Sequence, residues 1–182
     1  MMETTTLYAR AALIRLVIFD VDGVLTDGSL FLGDDGLEYK AFHAHDGYGM
    51  KLLQHGGVEI AVITARTSEV VRLRMQSLGI QRVYQGKLDK LSAYQTLLAE
   101  TGYTDTQIAY VGDDLVDLPV MLRVGLALAV ANAHPVVKRY AHATTQQAGG
   151  RGAAREACEL ILDAQGKLAP LIERYLAGQV VQ

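Results

Sequence analysis

The sequence predicts an α/β fold: a doubly wound, Rossmann-like parallel sheet with helices on both faces, a β-hairpin insertion after the first strand and no cap domain. Short apolar runs rich in β-branched residues alternate with segments of helical periodicity. That alternation is typical of parallel sheets, whose strands are joined by helical crossovers. Polar side chains follow directly after several of the runs, at the sheet edge where such folds bind ligands.

The first strand is predicted at residues 16–19, an apolar run that leads into the nine residues DVDGVLTDG. Asp20 and Asp22 lie two residues apart, so their side chains would point to the same side of an extended segment. Two carboxylates this close repel each other unless a cation or a shared proton compensates them. A hard divalent cation such as Mg²⁺ prefers oxygen ligands of this kind.

A β-hairpin is predicted at about residues 29–42, where two strand-like stretches flank the turn sequence GDDG at residues 33–36. An isolated hairpin is barely stable in water, so this one is expected to pack against something, such as another subunit. Its apolar residues are many for an exposed ribbon: Leu30, Leu32, Leu37 and Phe42.

The remaining elements follow from periodicity and from start and stop signals. A helix that ends at about residue 54 is closed by two glycines, and Thr67 or Ser68 can cap the next helix. The predicted strands are 58–63, 82–85, 108–111 and 126–130, and the helices after the first are 68–78, 87–100, 116–123, 154–163 and 167–176. The gaps between the polar strand ends contain no room for a cap domain, so the site is expected to be open in a single subunit.

Length and composition exclude several classes of protein. The 182 residues fit one domain, and half of them are apolar, which is enough for a core. A formal charge of −3 argues against nonspecific nucleic-acid binding, and no apolar run is long enough for a membrane span. Cys158 is the single cysteine, so no intrachain disulfide can form. Residues 1–13 lack the apolar core of a signal peptide and are interpreted as a flexible extension of a cytoplasmic protein.

Five polar residues are predicted to meet at one edge of the sheet. They follow strands or begin a helix, and they combine three acids, a hydroxyl and an ammonium group, a set that suits a metal-bound phosphate ester. Lys87 competes with Lys90 for the ammonium position. The five are Asp20, Asp22, Thr64, Lys90 and Asp113.

In their order along the chain, these residues resemble the four motifs of the haloacid dehalogenase superfamily of phosphotransferases over residues 14–163, with residues 164–182 as a C-terminal tail. The resemblance implies that Asp20 is a nucleophile that forms an aspartyl-phosphate. It implies that Asp22 protonates the leaving oxygen and later activates water. Asp113, the Asp20 carboxylate and the backbone carbonyl of Asp22 would hold Mg²⁺.

The same resemblance assigns the supporting residues. Thr64 would donate a hydrogen bond to the transferring phosphoryl group, and Lys90 would neutralise its charge. Asp117 would orient Lys90, or would support the metal site together with Asp114.

A narrower resemblance rests on the hairpin, on the DGYG sequence from Asp46, on TAR at residues 64–66 and on GGRGAARE at residues 149–156. Together these resemble the 3-deoxy-D-manno-octulosonate 8-phosphate phosphatases of lipopolysaccharide synthesis. That family implies a homotetramer whose hairpins meet at the fourfold axis and whose C-terminal tail reaches a neighbouring site. His45 stands where the family often has Arg. The implied substrate-binding residues are Arg66, Asp46, Arg151 and Arg155.

Three other readings remain at the level of sequence. A receiver domain of signalling proteins uses similar groups, but its acidic pair precedes the phosphoacceptor Asp, whereas here Asp20 comes early and Asp113-Asp114 late. A phosphatase for a related nine-carbon keto-sugar phosphate would use the same motifs. A catalytically idle assembly module is disfavoured because every catalytic position carries a suitable residue.

Overall fold

A computed structural model describes the backbone of residues 2–179 and the side chains of residues 6–179. Its central feature is a six-stranded sheet in which every pairing is parallel. The strands are β1 (Leu16–Phe19), β4 (Glu59–Ile63), β5 (Arg82–Tyr84), β6 (Ile108–Gly112), β7 (Leu126–Ala129) and β8 (Ala143–Thr144), in the order β5-β4-β1-β6-β7-β8. This confirms the predicted fold class.

The hairpin is present as a separate two-stranded antiparallel ribbon made of β2 (Phe31–Leu32) and β3 (Glu38–Tyr39). The turn closes through a hydrogen bond from the Gly36 amide to the Gly33 carbonyl oxygen. Its strands are shorter than predicted. The apolar residues on it remain exposed: Leu30, Phe31, Leu32, Leu37 and Tyr39.

The helices pack as two groups around the sheet. One group consists of α1 (Met2–Ala12), α2 (Ala44–His55), α7 (Ala153–Ala164) and α8 (Leu168–Leu176), with α7 in contact with the other three. The other consists of α4 (Lys90–Thr101), α5 (Leu118–Met121) and α6 (Pro135–Tyr140), while α3 (Glu69–Ser77) joins β4 to β5. Every residue of β1 is fully buried between them.

The flexible extension predicted for residues 1–13 is wrong for the described part, since residues 2–12 form α1. Tertiary contacts hold this helix: Ala11 is fully buried, Tyr8 donates a hydrogen bond to Asp163 at 2.7 Å, and Arg10 donates one to the Gly125 carbonyl oxygen. Residue 1 lies outside the described residues. The sequence signal was weak because a run of three threonines has low helix propensity.

Other boundaries differ in ways that local chemistry explains. α4 begins three residues later than predicted, because the Asp89 side chain accepts from the Ser92 amide and caps the helix there. The predicted helix 116–123 is a 3₁₀ turn over Leu115–Asp117 followed by α5. α6 and β8 were not predicted. Among the described residues, no helix has both the length and the apolar character needed to span a bilayer.

Candidate active site

Three polar residues meet because β1 lies between β4 and β6 in matching register. Phe19, the last residue of β1, pairs with Val62 on one side and Val111 on the other. Asp20 comes directly after β1, Thr64 directly after β4 and Asp113 directly after β6, so all three lie at the carboxyl edge of the sheet. The structure therefore places these three residues at one edge of the sheet, and the Asp20 and Asp113 carboxylates lie close together there.

Lys90 is the buried cation of the site. Its Nζ lies 2.9 Å from Asp20 Oδ1 and 2.6 Å from Asp117 Oδ1, and only 1% of its side chain is exposed. Burial by itself lowers the pKa of Lys90, but the Asp20 and Asp117 carboxylates outweigh burial and raise the pKa overall, so the amine stays charged. Lys87 is exposed, and this resolves the choice between the two lysines in favour of Lys90.

Asp117 is fully buried and both of its carboxylate oxygens are used. Oδ1 accepts from Lys90 and, at 2.6 Å, from the Tyr110 hydroxyl, while Oδ2 accepts from the backbone amides of Asp113 and Asp114 at 2.9 and 3.1 Å. This arrangement fixes the Lys90 ammonium and the turn that carries Asp113. The side chain of Asp114 is exposed and caps the 3₁₀ turn through the Leu115 amide.

The acids of the site lie so close together that simultaneous ionisation of all of them is unfavourable. Carboxylate oxygens of Asp20, Asp113 and Asp117 all lie within 4.8 Å of one another. Burial, followed by repulsion from Asp117, raises the pKa of Asp20 to about 7 against the opposing effect of Lys90. Burial, followed by repulsion from Asp20, raises the pKa of Asp113 to about 7 as well. A bound cation would oppose the burial and the repulsion that raise the pKa of these two carboxyl groups.

Asp113 supplies an observation that favours a cation. Its Oδ1 is buried and has no hydrogen-bond partner among the described residues, which is costly unless something else binds the oxygen. Its Oδ2 reaches the Gly23 backbone so closely that a Cβ at position 23 would lie 2.1 Å away, and Gly23 has a φ of +94°. An all-oxygen donor set of this kind fits Mg²⁺.

Asp22 lies beside this cluster and belongs to a second set of charges. Its Oδ1 pairs with Lys40, which comes directly after β3, and its Oδ2 lies 3.9 Å from Arg66 Nε. Glu38 joins the two cations, since its Oε1 lies 2.9 Å from Arg66 and 3.4 Å from Lys40. The hairpin therefore folds back onto the residue that the motif resemblance assigns as acid and base. Arg66 itself is 46% exposed.

Thr64 is buried and its backbone fixes the neighbouring loop. Its amide donates to the Tyr84 carbonyl oxygen, and its carbonyl oxygen accepts from the Lys87 amide at 3.0 Å. These two bonds tie the end of β4 to the segment that leads into Lys90. Thr64 and Lys90 therefore keep a fixed relation across two elements.

Asp46, implied to bind substrate, lies apart from the acidic cluster. It is buried, Oδ1 accepts from the Arg155 amide at 2.8 Å, and Oδ2 accepts from the Gly152 amide at 3.2 Å. Arg155 donates to Glu159 at 2.5 Å and its guanidinium lies 5.5 Å from the Tyr48 ring centroid. In this structure both residues join α2 to the start of α7, and a contact of either residue with substrate stays a prediction.

The glycine-rich loop before α7 packs against its own chain. A Cβ at position 149 would lie 1.7 Å from the Gly23 carbonyl oxygen, and the Gly150 amide donates to the Val24 carbonyl oxygen at 2.9 Å. Arg151 is exposed and its guanidinium lies 3.3 Å from Asp27. Within one subunit this loop therefore borders its own site, and the implied reach of the C-terminal tail to a neighbouring site stays a prediction.

Three residues of the site were missed at the level of sequence: Lys40, Glu38 and Tyr110. The alternation of Leu37, Glu38, Tyr39 and Lys40 could have indicated the first two, because it places both charged residues on the same face of a strand. Tyr110 lies inside an apolar run and gave no signal.

Comparison with known proteins agrees with this geometry. Residues 63–156 match a family model described as haloacid dehalogenase-like hydrolase. The chain is 52% identical to the 3-deoxy-D-manno-octulosonate 8-phosphate phosphatase KdsC of Yersinia pestis over 159 residues, 87% of this chain and 85% of that protein. The chain belongs to the haloacid dehalogenase-like hydrolases, in the family of these phosphatases.

Solved structures of the family have the same fold. The phosphatase from Moraxella catarrhalis, in complex with magnesium ion, phosphate ion and KDO, has a TM-score of 0.91 and 38% identity, with 93% of this chain and 97% of that chain covered. A cobalt-bound phosphatase from Haemophilus influenzae has a TM-score of 0.88 and 41% identity, with 92% and 99% covered. Both of these structures contain a divalent cation, in agreement with the cation that the acidic cluster could hold.

Proposed function

We propose that this protein is a Mg²⁺-dependent phosphatase that hydrolyses 3-deoxy-D-manno-octulosonate 8-phosphate to 3-deoxy-D-manno-octulosonate and phosphate in lipopolysaccharide biosynthesis. The observation that carries the reaction type is the cluster of Asp20, Lys90 and Asp113, in which one Asp113 oxygen has no hydrogen-bond partner in the part of the chain that the structure describes. The similarity to KdsC over most of the chain supports the substrate.

Asp20 is the nucleophile of the proposed reaction. Its carboxylate oxygen forms a bond to phosphorus while the bond from phosphorus to the sugar oxygen breaks, and Asp22 donates a proton to that oxygen. Asp22 then takes a proton from the water that attacks phosphorus and releases Asp20. Asp22 lies beside the cluster and its side chain is 20% exposed, which leaves it accessible to substrate and to water.

The other residues bind and neutralise the phosphoryl group. Lys90 already contacts Asp20, so its ammonium lies where charge develops on the phosphoryl oxygens, and Asp117 with Tyr110 holds it there. Thr64 donates a hydrogen bond to the same group. Asp20, Asp113 and the backbone carbonyl oxygen of Asp22 would hold Mg²⁺, which would supply positive charge at the phosphate.

The substrate is tested by phosphate release from a panel of keto-sugar phosphates in the presence of Mg²⁺. We expect the highest kcat/KM for 3-deoxy-D-manno-octulosonate 8-phosphate. A higher kcat/KM for a nine-carbon keto-sugar 9-phosphate would overturn the proposed substrate and leave the phosphatase chemistry intact. No release from any member of the panel would contradict the enzyme itself.

We propose that the protein acts in the cytoplasm as a homotetramer whose hairpins contact each other. The support is the hairpin itself, which exposes five apolar residues that a partner could cover: Leu30, Phe31, Leu32, Leu37 and Tyr39. A Leu32→Lys, Tyr39→Lys double variant should run as a smaller species in light scattering coupled to size exclusion. A tetramer that survives both charges would exclude the hairpin as the assembly surface.

We propose that the C-terminal tail, residues 164–182, reaches the site of a neighbouring subunit. The support is that the charged groups near Asp22 remain partly exposed in one subunit. The test mixes Asp20→Asn subunits with subunits that end at Leu176, after joint dissociation and reassembly. About a quarter of the sites in a random equal mixture should combine an intact Asp20 with a neighbour's intact tail. No recovery of activity in proven mixed oligomers would contradict the shared site.

A further inference from the structure

Lys40 is a buried cation whose position in the hairpin has no obvious use for the hairpin alone. Only 1% of its side chain is exposed, and lysines are almost never buried to this degree unless they are paired. Its Nζ pairs with Asp22 and lies 3.4 Å from Glu38 Oε1. The exposed Tyr39 lies between Glu38 and Lys40 in sequence, so β3 directs its apolar side outward and its charged side toward the site.

The charges of the site divide into two separate sets. Lys90 pairs with Asp20 and Asp117, whereas Lys40 pairs with Asp22. The second set is closed: Arg66 contacts Asp22 on one side and Glu38 on the other, and Glu38 returns to Lys40. Two acids and two bases from three segments of the chain thus compensate one another around Asp22.

This set restricts how the Asp22 carboxylate can turn. Its Oδ1 faces a cation from the hairpin and its Oδ2 faces one from the loop after β4. Rotation of the carboxylate would break at least the Lys40 contact, which is buried and therefore less screened by solvent than a surface pair. An acid that must reach a leaving oxygen benefits from such restriction, because misplacement by about 1 Å can cost about 10²-fold in rate.

We propose that Lys40 is a positioning residue that holds Asp22 in line with the leaving sugar oxygen, with Glu38 as its support. This inference rests on the proposed role of Asp22 as the general acid and base. Lys40 acts through Asp22: the proton on the leaving oxygen comes from Asp22, and Lys40 neither gives nor takes one. Loss of Lys40 should therefore slow only those steps in which Asp22 transfers a proton.

The test compares two leaving groups in Lys40→Met, which keeps the unbranched side chain up to the ε position and removes the charge. A sugar oxygen needs a proton to leave, whereas nitrophenolate from p-nitrophenyl phosphate leaves without one. In single-turnover measurements with Mg²⁺, sugar release from the sugar phosphate should slow by about 10- to 100-fold. The first burst of nitrophenolate should stay near the wild-type rate, and later turnover of p-nitrophenyl phosphate should slow, because water activation needs Asp22.

Asp22→Asn is measured in parallel to separate the two proposals. It should show the same dependence on leaving group, and Lys40→Met in the Asp22→Asn background should add no further loss. Equal loss of both first steps in Lys40→Met, or full additivity with Asp22→Asn, would overturn the positioning role alone. Equal loss of both first steps in Asp22→Asn would overturn the proposed acid role of Asp22 and the inference that rests on it.

Two further variants complete the design. Lys51→Met on α2, outside this set of charges, is the matched control and should leave both rates unchanged. Thermal unfolding and Mg²⁺ affinity of each variant check that the fold and the metal site persist. If Lys40→Met does not fold, Glu38→Gln carries the same test, and its selective loss of sugar release should be smaller and in the same direction.

Discussion

Two buried aspartates in this protein have opposite surroundings. Asp20 lies against other acids and pairs with Lys90, and the neighbouring Asp113 has an oxygen without a hydrogen-bond partner among the described residues. Asp46 is just as buried, but each of its carboxylate oxygens accepts a hydrogen bond from a backbone amide at the start of α7. Both were candidates for ligand contact in the sequence. The difference teaches that a candidate site is recognised by what its neighbours leave unsatisfied, and not by burial or by charge alone.

The electrostatics agree with this contrast. Burial raises the pKa of Asp46, and the backbone amides of Arg155 and Gly152 oppose that effect. For Asp20 and Asp113 the neighbouring acids add to the effect of burial, and the pKa of each reaches about 7. The first arrangement is complete as it stands, whereas the second is incomplete until a cation binds.

The largest expected effect is that of Asp20→Asn, which keeps the shape of the side chain and removes the anionic nucleophile. Turnover should fall by at least about 10³-fold while the fold persists, because covalent catalysis at this position ends. Phosphate release and circular dichroism provide the measurements. A folded variant with near wild-type turnover would exclude Asp20 as the nucleophile and would remove the contrast with Asp46.

Removal of the metal tests the same contrast, because its effect on the stability of the protein should depend on pH. Without a cation, burial and the neighbouring acids raise the pKa of Asp20 and of Asp113 from the ordinary value of 3.8 to about 7. Between pH 3.8 and about 7 the folded state therefore binds more protons than the unfolded state. Their contribution to stability is therefore present at low pH and is lost as the pH rises through about 7.

Mg²⁺ should compensate this loss. The rise in melting temperature on addition of Mg²⁺ should be larger at pH 8 than at pH 5.5, and chelator should abolish turnover at both pH values. Ca²⁺ should restore turnover poorly because it accepts more ligands at longer distances. Thermal unfolding of the wild type and of Asp113→Asn provides the comparison. An equal rise at both pH values would mean that these carboxylates do not hold the ion.

Asp46→Asn tests the other side of the comparison. The amide can accept only one of the two backbone hydrogen bonds, so the variant should lose about 1–3 kcal/mol of unfolding free energy. Turnover at a temperature where the variant is folded should stay near that of the wild type. Urea unfolding and steady-state kinetics give the two quantities. A stable variant with a large rise in KM would restore Asp46 as a substrate contact.

The smallest effect is expected for Arg151→Ala, in the loop that joins the two regions. Its pair with Asp27 is exposed and screened by solvent, so its loss should leave the unfolding free energy close to that of the wild type. Arg139→Ala at another exposed position is the matched control. If Arg151→Ala raises KM and Arg139→Ala does not, the guanidinium contacts substrate in spite of its pair with Asp27.

The hairpin adds a second lesson to this comparison. Its outward face exposes Leu37 and Tyr39, while its inward face brings Glu38 and Lys40 to the site. The proposed assembly surface and the charges around Asp22 therefore lie on opposite sides of the same hairpin. Under the proposed function, this one small element would serve both assembly and catalysis.

The sequence by itself determined the alternation of strands and helices and the groups that follow the strands. These features depend on periodicity and on neighbours in the chain: the apolar run before Asp20, the position of Thr64 after β4, and Asp113 after β6. Parallel strands end at the same edge of a sheet, so residues that follow neighbouring strands lie close together there. For that reason the fold class was predictable, and so was the proximity of Asp20 to Asp113.

Only the tertiary structure decided which charges meet across long separations. The pair of Lys40 with Asp22 requires the hairpin to fold back, and the bond from the Gly152 amide to Asp46 joins residues 106 positions apart. α1 likewise depends on its contact with α7, since its own helix propensity is low. Periodicity describes a residue's relation to its own element, whereas the partner of a buried charge is set by how elements pack, and no local pattern records that choice.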